Sequence, residues 1–215
     1  VVEKYFGDIP AGGKFPKFTL QRKPLGGERR EEFGDRVQLP RVYRLYHLPK
    51  MGDRDWIHAD LLSTILASDK ASRLDRALVH EKQIAQDVAA YVLPTESTGM
   101  MLLQATATEG VEASQLESEI DHEIARLISG GVTEEEIVRA KNRSEVEFAH
   151  QIENYDTRAD IIAMLATYFG DPSLVHRWLE PYQSATAADL RDVAAKYLVP
   201  ANRATSIFVP GKEAA

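Results

Sequence analysis

Histidine is the side chain best able to hold a catalytic metal in this sequence, because the chain contains no cysteine. A zinc site on a helix needs two histidines about one turn apart, together with a carboxylate. No two histidines are three or four residues apart; they are His47, His58, His80, His122, His150 and His176. Residues 80–81 and 122–123 read His-Glu, the start of a His-Glu-x-x-His motif, but Ile84 and Arg126 stand where its second histidine would be. We therefore predict no metal site and no bound cofactor in this chain.

Other catalytic motifs are also missing from the sequence. The lack of cysteine excludes thiolate nucleophiles and disulfides, and no Gly-x-Ser-x-Gly elbow is present. The sequence does not decide whether a Ser-His-Asp triad is present, since its members can be distant in the chain. Gly12-Gly13 and Gly26-Gly27 lack the spacing of a phosphate-binding loop. The residues by themselves single out no catalytic group.

The charge balance limits the partners. A formal net charge of −7 argues against nucleic acid, which binds to basic surfaces. No apolar run approaches the ~20 residues that cross a bilayer, so we predict no membrane span. The absence of cysteine is compatible with a reducing cytoplasm and with a periplasm. The compartment therefore stays open.

Residues 71–110 form the unit around which the rest is organised. Its first part has a helical apolar face of Leu74, Ala77, Leu78 and Ile84. The period then falls to two, which predicts a strand through residues 88–92, a turn at 95–99 and a second strand from Met101 to Ala107. Arg73, Arg76 and His80 lie at helical spacing beside this hairpin. They could face a ligand or form a solvated helix face.

The flanking segments predict an α+β fold, a mainly antiparallel sheet covered by helices in a two-layer sandwich. Residues 1–6 read as the end of a helix and 8–27 as a Pro- and Gly-rich linker, so we place the domain at 28–215. A charged edge strand over 29–36 and a central strand over 42–47 follow. Helices fill the second half, with capping signals at Thr133 and Thr186, before a last strand over 203–209.

The run SRL-x3-LV-x-E-x-QIAQ-x-V-x-AY, followed by ATA-x-EGV, resembles the second half of the insulinase/pitrilysin-like, processing-peptidase-like zinc metallopeptidases of the M16 family. The opening EKYFGDIPAG is similar to the last helix and linker of that family's first domain. The resemblance covers essentially the whole chain. It implies half of a clamshell that encloses peptide substrates, with zinc held in an N-terminal catalytic half. That half would be fused or a separate subunit, and the lead-in favours fusion.

The resemblance also identifies positions that could grip a peptide. Many family members carry an Arg and a Tyr seven residues apart where the central helix meets the hairpin, but here these positions hold Val79 and Gln86. Direct participation in catalysis is therefore in doubt. We name Gln86, Arg76 and His80 as candidate substrate-binding residues. For Gln86, the alternative is a plain polar residue at the start of a strand.

Three functions remain open at this stage. The first is the non-catalytic C-terminal domain of a bacterial zinc peptidase, in the periplasm or the cytoplasm. The second is an inactive structural or partner-subunit homologue of the same family, which the missing Arg and Tyr favour slightly. The third is an unrelated binding module or an independent enzyme. The sequence upstream of Val1 would separate the first two, through the presence or absence of the family's His-x-x-Glu-His motif.

Overall fold

A five-stranded sheet runs through the computed structural model, which describes residues 1–10, 12–13 and 23–211. The strands are β1 (Arg29–Asp35), β2 (Arg41–Leu48), β3 (Ala85–Leu93), β4 (Gly99–Ala107) and β5 (Arg203–Pro210). Their order across the sheet is β1-β5-β2-β4-β3. The β1–β5 pair is parallel and the other three pairs are antiparallel. The predicted mainly antiparallel sheet and the charged edge strand are thus confirmed. Residues 11 and 14–22 of the predicted linker, and 212–215 of the predicted domain, lie outside the described residues.

The helices pack on one face of this sheet. They are α1 (Val2–Phe6), α2 (Arg54–Ala67), a π-helix (Asp75–Glu81), α3 (Ala113–Gly130), α4 (Glu134–Glu153), α5 (Tyr155–Phe169), α6 (Glu180–Ser184) and α7 (Ala187–Tyr197), with 3-10 turns at Pro172–His176 and Pro200–Asn202. Among them α2, the π-helix, α3 and α7 contact the strands. This is the two-layer α+β sandwich that the sequence predicts.

The core lies between the sheet and these helices. In β2 the residues with even numbers are buried and those with odd numbers are not, because successive side chains point to opposite faces. β4 contributes Met101 and Leu103 to the same layer, each fully buried. The apolar face of α2 packs against them; its buried members include Leu61, Leu62, Ile65 and Leu66. Burial of these side chains is the main stabilising term of the fold.

Helix ends follow the predicted capping signals. Thr133 and Glu136 form a reciprocal capping box at the start of α4. Thr186 and Asp189 do the same for α7. Gly170 ends α5 in the left-handed conformation. The predicted caps at Thr133 and Thr186 are confirmed, because capping depends on residues close in sequence.

One local expectation is wrong in detail. Residues 75–81 form a π-helix, so the chain is wound more loosely there than the predicted helix. Among the charged residues of α3, Glu123 is buried, with only 4 % of it exposed. Its carboxylate accepts a hydrogen bond of 2.8 Å from Nη1 of Arg126, and this pairing offsets the cost of burying a charge.

Helices α2, α4 and α6 meet around a carboxyl group. Oδ2 of Asp60 accepts a hydrogen bond of 2.9 Å from the hydroxyl of Tyr182. Both residues line a small cavity of about 100 Å³, together with Glu147 and Trp178. Burial raises the pKa of Asp60 to about 6, against the opposing hydrogen bond from Tyr182, and the negative charge of Glu147 adds to the rise. Ionisation of Asp60 therefore works against folding.

Asp60→Asn should stabilise the fold at high pH. The folded carboxyl has a pKa of about 6, above the unfolded value of ~3.9, so its ionisation costs stability as pH rises through this window. The amide oxygen can still accept from Tyr182. The variant should gain up to about 3 kcal/mol near pH 8 and almost nothing near pH 4. Urea unfolding at the two pH values measures this gain, and an equal gain at both would contradict the raised pKa.

Gly99 sits where β4 passes the end of β2 and the start of α2. An ideal Cβ there would lie 2.0 Å from the carbonyl oxygen of Pro49 and 2.8 Å from Cδ1 of Trp56. Gly99→Ala should lower the free energy of unfolding by about 2 kcal/mol or more, as overpacking does. Gly130→Ala is the matched control, because nothing lies within 4 Å of its ideal Cβ. Thermal unfolding of the two variants tests this, and similar losses for both would contradict the assigned clash.

Candidate functional site

Gln86 lies at a β-bulge where β3 begins. Ala85 pairs with Ala107 and Asp87 pairs with Thr106, so Gln86 is the extra residue of the bulge. Its side chain is exposed at the edge of the sheet. Bulges often occur beside binding sites because they redirect a side chain. Gln86 is thus positioned to reach a ligand, although no contact in the structure assigns it this role.

His80 lies on the π-helix that leads into β3. Its Nε2 lies 3.0 Å from Oδ1 of Asp75, five residues earlier, a separation that suits the wider turn of this helix. Directly after the helix, Gln83 has a positive φ of 53°. Sparsely populated backbone conformations and π-turns are frequent at functional sites. The segment between His80 and Gln86 therefore combines two unusual backbone features.

Arg76 points to a different place. It lines a cavity of about 510 Å³ between the π-helix, the end of α3 and the start of α4. The neighbouring Arg73 is already engaged, since it donates to both carboxylate oxygens of Glu136 and to the carbonyl of Gly131. The lining residues of this cavity include neither His80 nor Gln86. The three candidates therefore do not share one cavity.

The carboxylate of Glu136 is ion-paired and hydrogen-bonded at the wall of this cavity. Its own burial would raise its pKa, but hydrogen bonds from Arg73 and from the Thr133 backbone outweigh burial and lower the pKa to about 2. The arginine charge acts in the same direction. Arg73 and Glu136 thus form a structural ion pair between the π-helix and α4, leaving Arg76 and Arg126 closer to solvent.

Metal binding finds no support in the described ranges. No group of three or more His, Asp or Glu there is arranged to hold a metal ion. The residues that the structure describes therefore do not fit zinc. Within the same ranges, no helix has both the length and the apolar content needed to cross a bilayer.

The sheet face opposite the helices is the largest feature that sequence reasoning missed. Its side chains are partly or fully exposed. Apolar members (Phe33, Tyr43, Leu45, Ala89, Tyr91, Leu102, Ala204 and Phe208) lie among polar and charged ones such as Arg41, Asp87, Gln104 and Ser206. Strand pairing aligns Tyr91, Leu102 and Leu45 in one row across the sheet. We call this surface the open face. The sequence does indicate this surface, because apolar residues occupy both the odd-numbered and the even-numbered positions of β2. A strand with only one face covered by helices needs apolar residues at alternate positions only.

A cluster of charges on the covered face ties the start of the domain to the sheet. Arg44 is fully buried and donates to both carboxylate oxygens of Asp121 on α3, at 2.7 and 3.2 Å. Arg203 donates to Asp121 at 2.6 Å and to Glu28 at 2.7 Å. The hydrogen bond from Arg203 lowers the pKa of Glu28 below its usual value. Asp121 thus joins α3 to β2 and β5.

Asp121→Ala should destabilise the fold by about 2–3 kcal/mol, because the buried Arg44 loses the carboxylate that accepts two of its hydrogen bonds. Asp192→Ala is a matched control, since Asp192 pairs with Arg191 in full contact with solvent. The control should change stability by less than about 0.5 kcal/mol. Urea unfolding of both variants measures the difference. A loss at Asp121 no larger than that at Asp192 would show that the cluster adds nothing to stability.

The fold and the open face together define an α+β sandwich domain with one uncovered sheet face. A sequence model of the peptidase M16 inactive domain matches residues 1–144, and the chain belongs to this family. It is an inactive C-terminal domain of the M16 peptidases, as the resemblance of the 72–91 run implies. Such a domain implies a catalytic partner half.

The chain is similar in sequence and structure to bacterial proteases, two of them named as zinc proteases. The zinc protease PqqE of Helicobacter pylori is 25% identical over 177 residues, covering 81% of this chain and 39% of that protein. The crystal structure of a protease from Helicobacter pylori superposes with a TM-score of 0.88 at 22% identity, over 97% of this chain and 50% of that one. A putative zinc protease from Bordetella pertussis Tohama I gives 0.72 at 25% identity, over 80% of this chain and 94% of that one. This chain therefore spans half or less of its Helicobacter relatives.

Proposed function

We propose that this chain forms the non-catalytic half of a clamshell in a zinc-dependent peptidase that encloses peptide substrates. Zinc and the hydrolytic water belong to an N-terminal catalytic half, fused to this chain or supplied by another subunit. The open face forms the wall that meets the peptide. The observation that carries this proposal is a sheet surface with exposed apolar side chains among polar ones, left uncovered in a domain of the M16 family.

The apolar character of the open face supports contact with unfolded chain. Tyr91 is 44% exposed and Phe33 is 41% exposed, and neither is covered by a helix. Large exposed apolar patches commonly mark interaction surfaces. An unfolded peptide offers apolar side chains and free backbone groups, which such a wall can engage without reading a particular sequence. Leu102 and Tyr43, at the centre of the face, would lie nearest to the peptide.

The start of the chain supports a preceding half. None of the described residues before Glu28 is buried, whereas Glu28 itself bonds to Arg203 and Thr205. α1 exposes Tyr5 and Phe6 by more than half. We therefore propose residues 1–27 as the end of a preceding domain with its linker, and 28–215 as the domain itself.

Gln86 and His80 are proposed to contact the peptide at the edge of this wall. Gln86 is exposed near the start of the edge strand β3, and its side-chain amide can donate a hydrogen bond to a peptide carbonyl. His80 approaches from the π-helix. Arg76 is the weakest of the three candidates, because it lines the cavity between α3 and α4 instead.

A second function is a catalytically inactive structural or partner-subunit homologue. Val79 and Gln86 favour it, because they occupy the positions where the family places its peptide-gripping Arg and Tyr. Val79 packs against the core, and its aliphatic side chain has no polar group that could bind a substrate.

Peptide hydrolysis tests the proposal. The 215-residue chain alone should not hydrolyse an unfolded peptide, whereas the longer protein with its upstream half should do so in a chelator-sensitive manner. In that longer protein, Tyr91→Asp should raise KM several-fold by placing a charge on the apolar wall. Val146→Asp is the matched control, since Val146 is similarly exposed, at 54%, on α4.

Three outcomes would contradict parts of the proposal. Chelator-sensitive hydrolysis by the chain alone would contradict its non-catalytic role. A longer protein that binds no zinc and cleaves nothing would favour the structural homologue. Equal KM values for the Tyr91 and Val146 variants would contradict peptide contact at the open face.

A further inference from the structure

A cavity of about 250 Å³ lies between α2 and α7, on the helical side of the domain. We call it the α2–α7 cavity. The polar side chains that line it are three carboxylates, two cations and one histidine: Asp55, Asp189, Asp192, Arg54, Lys196 and His58. None of these residues takes part in the open face.

His58 is the unusual member of this group. It is only 2% exposed, yet its imidazole makes no hydrogen bond and no ion pair within the described residues. Buried polar side chains nearly always have a hydrogen-bond partner. Since the ring lines the α2–α7 cavity, a partner can reach it from there.

The imidazole of His58 offers an acceptor to such a partner. Burial lowers the pKa of His58, and the charge of Arg54 acts in the same direction against the charges of Asp189 and Asp55. Because the usual value is about 6.5, the ring is mainly neutral at pH 7. A neutral imidazole keeps one nitrogen that accepts a hydrogen bond. The ring therefore suits a group that donates.

The charges in the lining favour a cation. Nη2 of Arg54 donates to Asp189 at 2.9 Å, and Nζ of Lys196 donates to Asp55 at 2.7 Å, so both cations are already engaged. The third carboxylate, Asp192, has no cation within the lining. It pairs only with Arg191 at the surface, at 3.3 Å, and such exposed pairs are weak. The lining thus carries an excess of negative charge, which attracts a positive ligand.

The two paired carboxylates keep their charge near neutral pH. The hydrogen bond from Thr186 lowers the pKa of Asp189. Burial would raise the pKa of Asp55, but hydrogen bonds from Lys196 and Tyr197 outweigh it and lower the pKa. The negative charge around His58 is therefore present at pH 7.

The size and the remaining lining restrict the kind of cation. A volume of about 250 Å³ lies below the roughly 300–1,000 Å³ of typical ligand clefts, so the cavity suits a small group. Val193 adds an aliphatic wall that can contact an alkyl stem. No group of three His, Asp or Glu in the described part of the chain is arranged to hold a metal ion. An organic cation with a short apolar stem fits these features.

We infer that the α2–α7 cavity binds a primary alkylammonium group, carried by a lysine side chain or by a small free amine. Its N–H groups would donate to the free nitrogen of His58 and to Asp192, while its stem contacts Val193. This site goes beyond the proposed function and does not depend on contact between the open face and a peptide.

NMR of the histidine rings tests the inference. The 215-residue chain, with ¹³C-labelled histidine, is titrated at pH 7 with n-butylammonium chloride, and His58→Gln assigns the His58 signal among the six. Only the His58 signal should shift, and its measured pKa should fall further, because a bound cation opposes protonation of the ring. Sodium chloride at equal ionic strength supplies charge without a stem, and n-butanol supplies the stem without charge. Neither should move the signal.

A pair of substitutions tests the role of charge in this binding. Asp192→Asn should raise the Kd for n-butylammonium several-fold, because it removes the carboxylate that no cation of the lining engages. Asp160→Asn is the matched control, since Asp160 is exposed on α5 and does not line the cavity. It removes the same charge elsewhere and should leave the Kd unchanged.

Two peptides separate the possible sources of the ammonium group. Acetyl-Gly-Lys-Gly-amide should shift the His58 signal if a lysine side chain is the ligand, and its Nε-acetylated form should not. A response to n-butylammonium without a response to the lysine peptide assigns the site to a free amine. A His58 signal that n-butylammonium does not move would overturn the inference, because the ring then faces solvent alone. An equal Kd for the Asp192 and Asp160 variants would overturn it as well.

Discussion

The ion cluster around Asp121 is the contact on which the arrangement of this domain depends. A fully buried arginine is costly unless its charge is matched and its donors are satisfied. Arg44 finds its counter-charge and the acceptors for Nη1 and Nη2 only with α3 lying across β2, where Asp121 and the carbonyl of Glu117 accept its hydrogen bonds, while its buried Nε has no partner among the described residues. Arg203 extends the cluster to β5 and to Glu28. Asp121 thus fastens α3 to β2 and β5, beside the apolar contacts that α3 makes with the core.

The position of α3 has a consequence on the other side of the sheet. Since side chains alternate along each strand, Arg44 on the covered face requires Tyr43 and Leu45 on the opposite one. The helices that contact the strands pack on the same side as Arg44. The domain therefore keeps an apolar surface uncovered while its own core is complete. A surface of this kind is suited to contact with the catalytic partner half that the family implies.

Much of the fold follows from local signals. The strands over 85–93 and 99–107, the capping boxes at Thr133 and Thr186, and the charged edge strand are all readable from neighbouring residues. The parallel pairing of β1 with β5 is not, because these strands are about 170 residues apart in the chain. The π-helix also escaped prediction, since its apolar spacing fits an α-helix over a few turns.

The candidate site was harder to read. Gln86 could be named only through the family resemblance, and its bulge became visible only with the register of β3 against β4. The burial of Arg44 and Glu123 depends on partners elsewhere in the fold, so an isolated charge in the sequence reads as exposed.

Photo-crosslinking gives the most direct test that the open face is the peptide-facing wall. A photoreactive amino acid would replace Tyr43 on the open face, or Val146 on α4, in the protein that carries both halves. Irradiation with an unfolded peptide should crosslink the peptide at position 43 and leave position 146 unlabelled. Crosslinking at position 146 alone would place the peptide on the helical side and contradict the account.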